Sequence, residues 1–302
     1  IVTLSEEEVP FEERTIIDHS SGEISTEDCA ILLEAVKEEL QNETYQFYAG
    51  TSYRHCLIWN QGSVIELSQP HDVLGQVIGQ YLPEDENLLS MMKRSYEILV
   101  NHPINIERKR QGLNPANCCW FWGAGTKPML SSFKEKTGKK GMMVSAVDLL
   151  KGIAVGAGMG VAKVEGANGG LNTNYEGKVQ AALDALLNGY DFAYIHVEAP
   201  DEMGHQGSVA RKVQAIEYLD QRVIGPLTKA LDQEETPYRL LVMPDHPTPI
   251  RVRTHTSDSV PYLLYDSEEP KKESWNYNEK EAKESGNFIP MGHTIIDKLF
   301  EK

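Results

Sequence analysis

Apolar residues at positions 29, 32, 33, 36 and 40 of "STEDCAILLEAVKEEL" recur at the spacing that gathers one face of an α-helix, and Ser25 with Asp28 fits a capping box ahead of them. A second helical pattern runs through "ENLLSMMKRSYEILVNH". Between the two, "YRHCLIW" and "SVIEL" flank "NQG", which predicts a β-hairpin. From about residue 115 the rhythm changes, beginning with "ANCCWFWGAG" and "GMMVSAVDLLKGIAVGAGM": apolar runs alternate with helical stretches. "DFAYIHVE", "YRLLVM" and "VPYLLY" are expected to be buried strands, "TNYEGKVQAALDALLN" a helix capped by Asn172 or Asn174, and "VARKVQAIEYLDQRVIGPLTKAL" one long helix. Near-continuous apolar strands belong in a mostly parallel sheet covered by helices on both faces. The expectation is therefore an α/β protein in two parts, a smaller α+β domain over residues 1–112 and an α/β domain over residues 113–302. "GAGMGVAKVEGANGG" lacks the endings of the phosphate- and dinucleotide-binding loops and predicts turns around a strand, while "SEEPKKESWNYNEKEAKESGN" reads as an exposed loop.

Composition narrows the function. With 302 residues, 40% hydrophobic and 25% charged, the chain can bury a large core. A net charge of −16 argues against nucleic acid or an anionic membrane as partner, since both require a basic footprint. A small anion stays possible where local charge or metal gathers it. Cys29, Cys56, Cys118 and Cys119 have no zinc-site spacing and are expected to be reduced core residues. No apolar run has the length of a membrane span and no signal peptide is visible, so a cytoplasmic location is expected. The opening "IVTLS" reads as a strand entered midway, which suggests a chain lacking its amino-terminal part.

The chemistry gathers where two predicted strands end. "DFAYIHVE" runs into "APDEMGHQG", and "YRLLVM" runs into "PDHPTPIRVRTHT". Asp201 and His205 stand four residues apart, so one helical turn would bring both to one ion; Asp245 and His246 offer two more donors and His255 a third imidazole. Oxygen and nitrogen donors without thiolate suit Mn²⁺ or Zn²⁺, with Mg²⁺ or Co²⁺ as further candidates. Two donor clusters suggest two ions, an arrangement that stabilises charge during phosphoryl transfer. Ligands in such sheets bind beyond the carboxyl ends of the strands, where both clusters fall. Arg54 and His55 in "SYRH" could grip a phosphate or carboxylate, as could Arg253 beside "THT" and Lys151 in "VDLLKG".

"HVEAPDEMGHQG" followed by "MPDHPTPIRVRTHTSDSVPYLLY" resembles the metal-binding core of the alkaline phosphatase superfamily. "HSSGEISTEDC", "SYRH", "QPHDVLG", "NHPIN", "PANCCWFWGAG", "SAVDLLKGI" and "NTNYEGK" extend the likeness, in order, to the archaeal-type 2,3-bisphosphoglycerate-independent phosphoglycerate mutases. The resemblance implies an alkaline-phosphatase-like sheet with the smaller domain inserted to cap the substrate. It implies two divalent ions, one held by Asp201, His205 and His255 and the other by Asp245 and His246, acting on a small phosphorylated carboxylic acid. The reaction it implies is interconversion of 2- and 3-phosphoglycerate through a phosphoserine; a homoserine-kinase-like activity and an inactive metal-binding module are the alternatives. The serine and the aspartate that complete the second site in that family match no segment here, and Ser52 and Ser145 read as structural. The expectation is that these 302 residues alone are inactive.

Overall fold

The computed structural model describes residues 1–234, 236–271 and 275–301 and divides the chain into two compact units, residues 1–127 and 128–302. In the first unit, strands β1 (Thr3–Leu4) and β2 (Ile16–Asp18) pair antiparallel. Helix α1 (Thr26–Leu40) follows, then strands β3 (Tyr45–Ala49) and β4 (His55–Trp59), a 3₁₀ turn at Pro70–Asp72, and helices α2 (Glu86–Leu99) and α3 (Pro103–Arg110).

Helix α1 starts where the capping pattern places it, the Ser25 hydroxyl accepting the Asp28 N–H at 3.1 Å. Its apolar stripe, Cys29, Leu32, Leu33, Val36 and Leu40, is buried against Phe47 and Leu88. Each buried leucine contributes roughly 1.5–3 kcal/mol of transfer free energy. Ser25→Ala leaves that stripe intact and frees one amide, so stability should fall by about 1 kcal/mol, read from the urea midpoint.

The expected hairpin is different. β4 pairs with the preceding strand β3, from Tyr45↔Trp59 to Ala49↔His55, and "SVIEL" forms no strand. The reason is packing: pairing with β3 turns Phe47 into the core and sets Tyr45 beside Trp59, ring centroids 5.8 Å apart. "NQG" does turn, with Gln61 at φ +57°, but leads away from the sheet.

"ANCCWFWGAG" was expected to open the second domain, and the compact unit instead runs to residue 127. Val2 bridges Cys118, and the Asn117 amide both accepts from the Leu4 N–H (2.8 Å) and donates to the Leu4 carbonyl (2.9 Å). Cys118 and Trp120 are buried with Val2, Leu4 and Ile16. Of the four thiols, Cys56 is exposed and the other three are buried, all of them free.

The second unit opens with α4 (Phe133–Thr137), β5 (Gly141–Val144), α5 (Asp148–Gly156), β6 (Gly160–Val161), α6 (Tyr175–Leu187) and β7 (Phe192–Ile195). β5 lies between β6 and β7 in a parallel three-stranded sheet, with Met143 opposite both Val161 and Tyr194. Asn174 caps α6 by accepting the Gly177 N–H at 2.8 Å. Beyond β7 come α7 (Ala199–His205), α8 (Val209–Leu219), a π-helical segment at Asp220–Ile224, α9 (Gly225–Gln233), β8 (Arg239–Val242), β9 (Leu263–Asp266), α10 (Glu279–Glu284) and α11 (Ile295–Phe300).

The fold is thus α/β, with a parallel sheet and helices. Three details depart from expectation. Pro226 cannot donate to the helical ladder, and just before it the single long helix passes through the π segment. β9 pairs antiparallel with β8, Arg239 opposite Asp266, since its connection returns from β8 through the loop that carries His255. Within the expected acidic loop, residues 272–274 lie outside the described residues, and Asn278 caps the short helix α10 by accepting the Glu281 N–H at 2.9 Å. No helix among the described residues is long and apolar enough to cross a membrane.

Candidate metal centre

Asp201 and His205 lie on α7, which begins four residues beyond the end of β7, and Asp245 and His246 follow the end of β8. The i, i+4 spacing on α7 sets His205 Nε2 3.2 Å from Asp201 Oδ2. The loop after β8 then brings His255 Nε2 to 3.2 Å from His205 Nε2 and 3.4 Å from Asp201 Oδ1. Donors bound to one ion at about 2.1 Å stand roughly 3.0–3.4 Å from one another, so these three side chains have the separations of a shared coordination sphere. His246 joins them: it has a donor within 4.8 Å of those of Asp201 and His255, and its ring lies tilted against that of His255 with centroids 3.7 Å apart. Asp245 Oδ2 lies 3.4 Å from His246 Nε2 at the exposed edge. The five residues therefore lie in one run of contacts.

Partners outside the cluster fix which imidazole nitrogen faces it. His205 Nδ1 lies 3.0 Å from the Arg253 carbonyl, which can only accept, so Nδ1 is turned away as a donor and Nε2 faces the cluster. Thr248 does the same for His246. Its buried hydroxyl donates to Asp201 Oδ1 and stands 3.4 Å from His246 Nδ1, leaving its oxygen to accept from that ring. With Nδ1 of each ring turned to these oxygens, Nε2 is the nitrogen left to face the other donors, the atom a metal would take.

The backbone is shaped to allow this. The Thr248 carbonyl accepts from Lys212 Nζ at 2.5 Å, and Gly204 passes so close that a Cβ there would lie 2.6 Å from that carbonyl oxygen. Arg253 sits at φ +58°, a left-handed conformation that costs a side-chain-bearing residue about 1–2 kcal/mol. It aims its carbonyl at His205 while its guanidinium packs over Gly207, where a Cβ would meet Nε at 2.4 Å.

Thr248, Lys212, His196 and Lys178 carry no sequence signal beyond their neighbours. Lys178 is fully buried, donates to the His196 carbonyl at 2.9 Å, and is held below the usual lysine range chiefly by burial. His196 follows β7 and is pushed down by burial, with Lys178 acting in the same direction. The Ser145 hydroxyl is 3.3 Å from His196 Nδ1 and accepts the Val147 N–H.

The other expected residues have local partners of their own. Lys151 pairs with Asp148 at 3.2 Å on α5. In the first unit the exposed Arg54 guanidinium lies over the Tyr53 ring at 4.5 Å. His55 is engaged at both nitrogens: Nδ1 accepts from Gly50 N at 3.2 Å and Nε2 meets Cys29 Sγ at 3.2 Å. Burial pushes His55 down to about 3 and the Cys29 thiol up to about 11, so both groups are neutral. A histidine depressed in the folded state takes up its proton first when unfolded. Stability should therefore be full above the unfolded value near 6.5 and fall as pH drops toward about 3. His55→Gln should flatten that acid limb in urea titrations.

Comparison with known proteins agrees with this chemistry. A model of the metalloenzyme superfamily matches residues 84–301, and one of 2,3-bisphosphoglycerate-independent phosphoglycerate mutase matches residues 1–105. The enzyme of that name from Methanosarcina mazei is 41% identical over 298 residues, covering 95% of this chain and 75% of that protein. Its counterpart from Methanosarcina barkeri is 44% identical, covering 92% and 71%. The solved PH0037 protein of Pyrococcus horikoshii has a TM-score of 0.65 at 27% identity, covering 87% of this chain and 65% of that one. The cofactor-independent phosphoglycerate mutase of Thermoplasma acidophilum shares the fold, with a TM-score of 0.56 at 23% identity. A donor cluster fit for a divalent ion, a metalloenzyme-superfamily match and relatives above 40% identity lead to one conclusion: the chain belongs to the 2,3-bisphosphoglycerate-independent phosphoglycerate mutase family.

Proposed function

We propose that the protein interconverts 2-phosphoglycerate and 3-phosphoglycerate in the cytoplasm through a phosphoserine, using two divalent ions. The carrying observation is the convergence of Asp201, His205, His246 and His255, with Nδ1 of two imidazoles turned to oxygens outside the donor set. Asp201, His205 and His255 would hold one ion, and Asp245 with His246 would hold the other. The ions would supply Lewis-acid stabilisation of the transferring phosphoryl group and of an ionised serine hydroxyl.

The chain's own residues do the positioning. Asp201 lies against His205 and His255 and is itself held by Thr248, so a shift of any of them disturbs the rest. Arg253 and Lys151 remain candidates for the substrate's anionic groups. Neither Ser52 nor Ser145 is the phosphoryl acceptor on this reading, since the first donates to the Ile24 carbonyl at 2.6 Å and the second is engaged by His196 and Val147.

The test is a coupled assay with 3-phosphoglycerate on the full gene product, before and after metal stripping. Metal-dependent formation of 2-phosphoglycerate supports the reading. Turnover of homoserine with ATP in its place would overturn it.

A further inference from the structure

Two separate stretches of chain have to meet for the donor cluster to form. Asp201 and His205 ride on α7, whereas Asp245, His246 and His255 belong to the connection from β8 to β9. That connection is braced within itself: Thr256 N donates to the Pro247 carbonyl at 3.1 Å, and Val252 N and Arg253 N both donate to the Pro249 carbonyl at 2.9 Å. A segment tied in this way moves as one piece, so its seating depends on a few contacts with the helices. One of them comes from α8, where the Lys212 ammonium donates to the Thr248 carbonyl at 2.5 Å. We propose that Lys212 is a positioning residue of the metal centre, clamping the Thr248 peptide against α7 and α8 so that His246 and His255 arrive beside Asp201.

The setting of Lys212, its neighbour and its target all point this way. Lys212 is half-buried on the side of α8 that also carries the fully buried Ala215, one turn further on. Burial holds it below the usual lysine range, with Asp201 and Glu279 opposing. A methionine would fill the same place without giving up the hydration of an ammonium, so stability does not explain the charge. The neighbour is Gly204 on α7. A Cβ there would lie 3.0 Å from Lys212 Nζ and 2.6 Å from the Thr248 carbonyl oxygen, so glycine makes room for donor and acceptor together.

The target is the residue that touches both stretches. Thr248 donates its hydroxyl to Asp201 Oδ1 on α7 and sets it 3.4 Å from His246 Nδ1 on its own segment. Pinning the carbonyl of that residue fixes where the hydroxyl sits, and with it the carboxylate and one imidazole. A hydrogen bond from an ammonium is about twice as strong as a neutral one, which suits a contact that holds a whole braced segment in place.

The metal readout of this clamp rests on the proposed function, and a metal-free readout separates the two. Lys212→Met keeps the length of the side chain and removes its charge and donors. In the metal-stripped chain the NOEs between the rings of His205 and His255, centroids 5.0 Å apart, should fade. Zn²⁺ affinity by calorimetric titration should fall about 10- to 100-fold, and Lys212→Arg should recover most of both losses. Combined with Thr248→Val, Lys212→Met should cost much less affinity than the sum of the two single losses, because both act through one residue. Ala215→Gly, which loosens the buried face of α8, should lower the urea midpoint and leave the NOEs and the Zn²⁺ affinity in place. Faded NOEs in a protein whose wild type takes up no Zn²⁺ would sustain the clamp and remove the metal reading. Intact NOEs and wild-type Zn²⁺ affinity in Lys212→Met, full additivity with Thr248→Val, or equal losses in Ala215→Gly would overturn the clamp.

Discussion

Asp201→Asn should lower the affinity for Mn²⁺ or Zn²⁺ by more than about 100-fold, beyond the 10- to 100-fold loss common for residues that only orient ligands. Asp201 is in contact with both His205 and His255, at 3.2 and 3.4 Å, and Thr248 donates to it as well. Asparagine keeps the shape and can still accept from Thr248, so the fold should persist. It lacks the negative charge that offsets a dication and the Oδ2 oxygen that faces His205. Calorimetric titration of the metal-stripped variant checks this, with circular dichroism confirming the fold. Wild-type affinity in the variant would show that the cluster is no metal centre.

Gly204→Ala should be the most damaging small substitution outside the ligands. Its Cβ would lie 2.6 Å from the Thr248 carbonyl oxygen and 2.9 Å from Thr248 Cγ2, contacts that force the Thr248 segment outward. Overpacking of this kind costs about 1–3 kcal/mol. It should also weaken metal binding by about 10- to 100-fold, since Thr248 orients both Asp201 and His246. Gly152→Ala supplies the contrast. It lies in α5 with nothing within 4 Å of its would-be Cβ, so it should raise stability by about 0.5–1 kcal/mol and leave metal binding alone. Urea unfolding and metal titration of the two variants side by side decide the matter.

The donor residues were legible because helical spacing and strand ends are local facts. Asp201 and His205 four apart need only a turn of helix, and α7 supplies it. The oxygens that orient the imidazoles were not legible. The Arg253 carbonyl reaches His205 only because residue 253 adopts a left-handed backbone, and Thr248 meets Asp201 across 47 positions. Long-range pairing also explains the differences in fold. Asn117 joins Leu4 across 113 positions and draws "ANCCWFWG" into the first unit, and Phe47 chooses the partner of β4 through the core it fills. No periodicity encodes such choices. His55 shows the converse: a motif that suggested substrate recognition places its imidazole against Cys29 and Gly50, where the neighbours set its chemistry.

The central claim is that Asp201, His205, His246 and His255 form a divalent-metal centre. Its most direct test is titration of the metal-stripped chain with Zn²⁺, read from the assigned ring resonances of the chain's nine histidines. Saturable changes at His205, His246 and His255, with both Nδ1 protons retained on His205 and His246 and with His55 and His102 unmoved, are what the geometry predicts. Uniform weak shifts across the histidines, or none at these three, would contradict it.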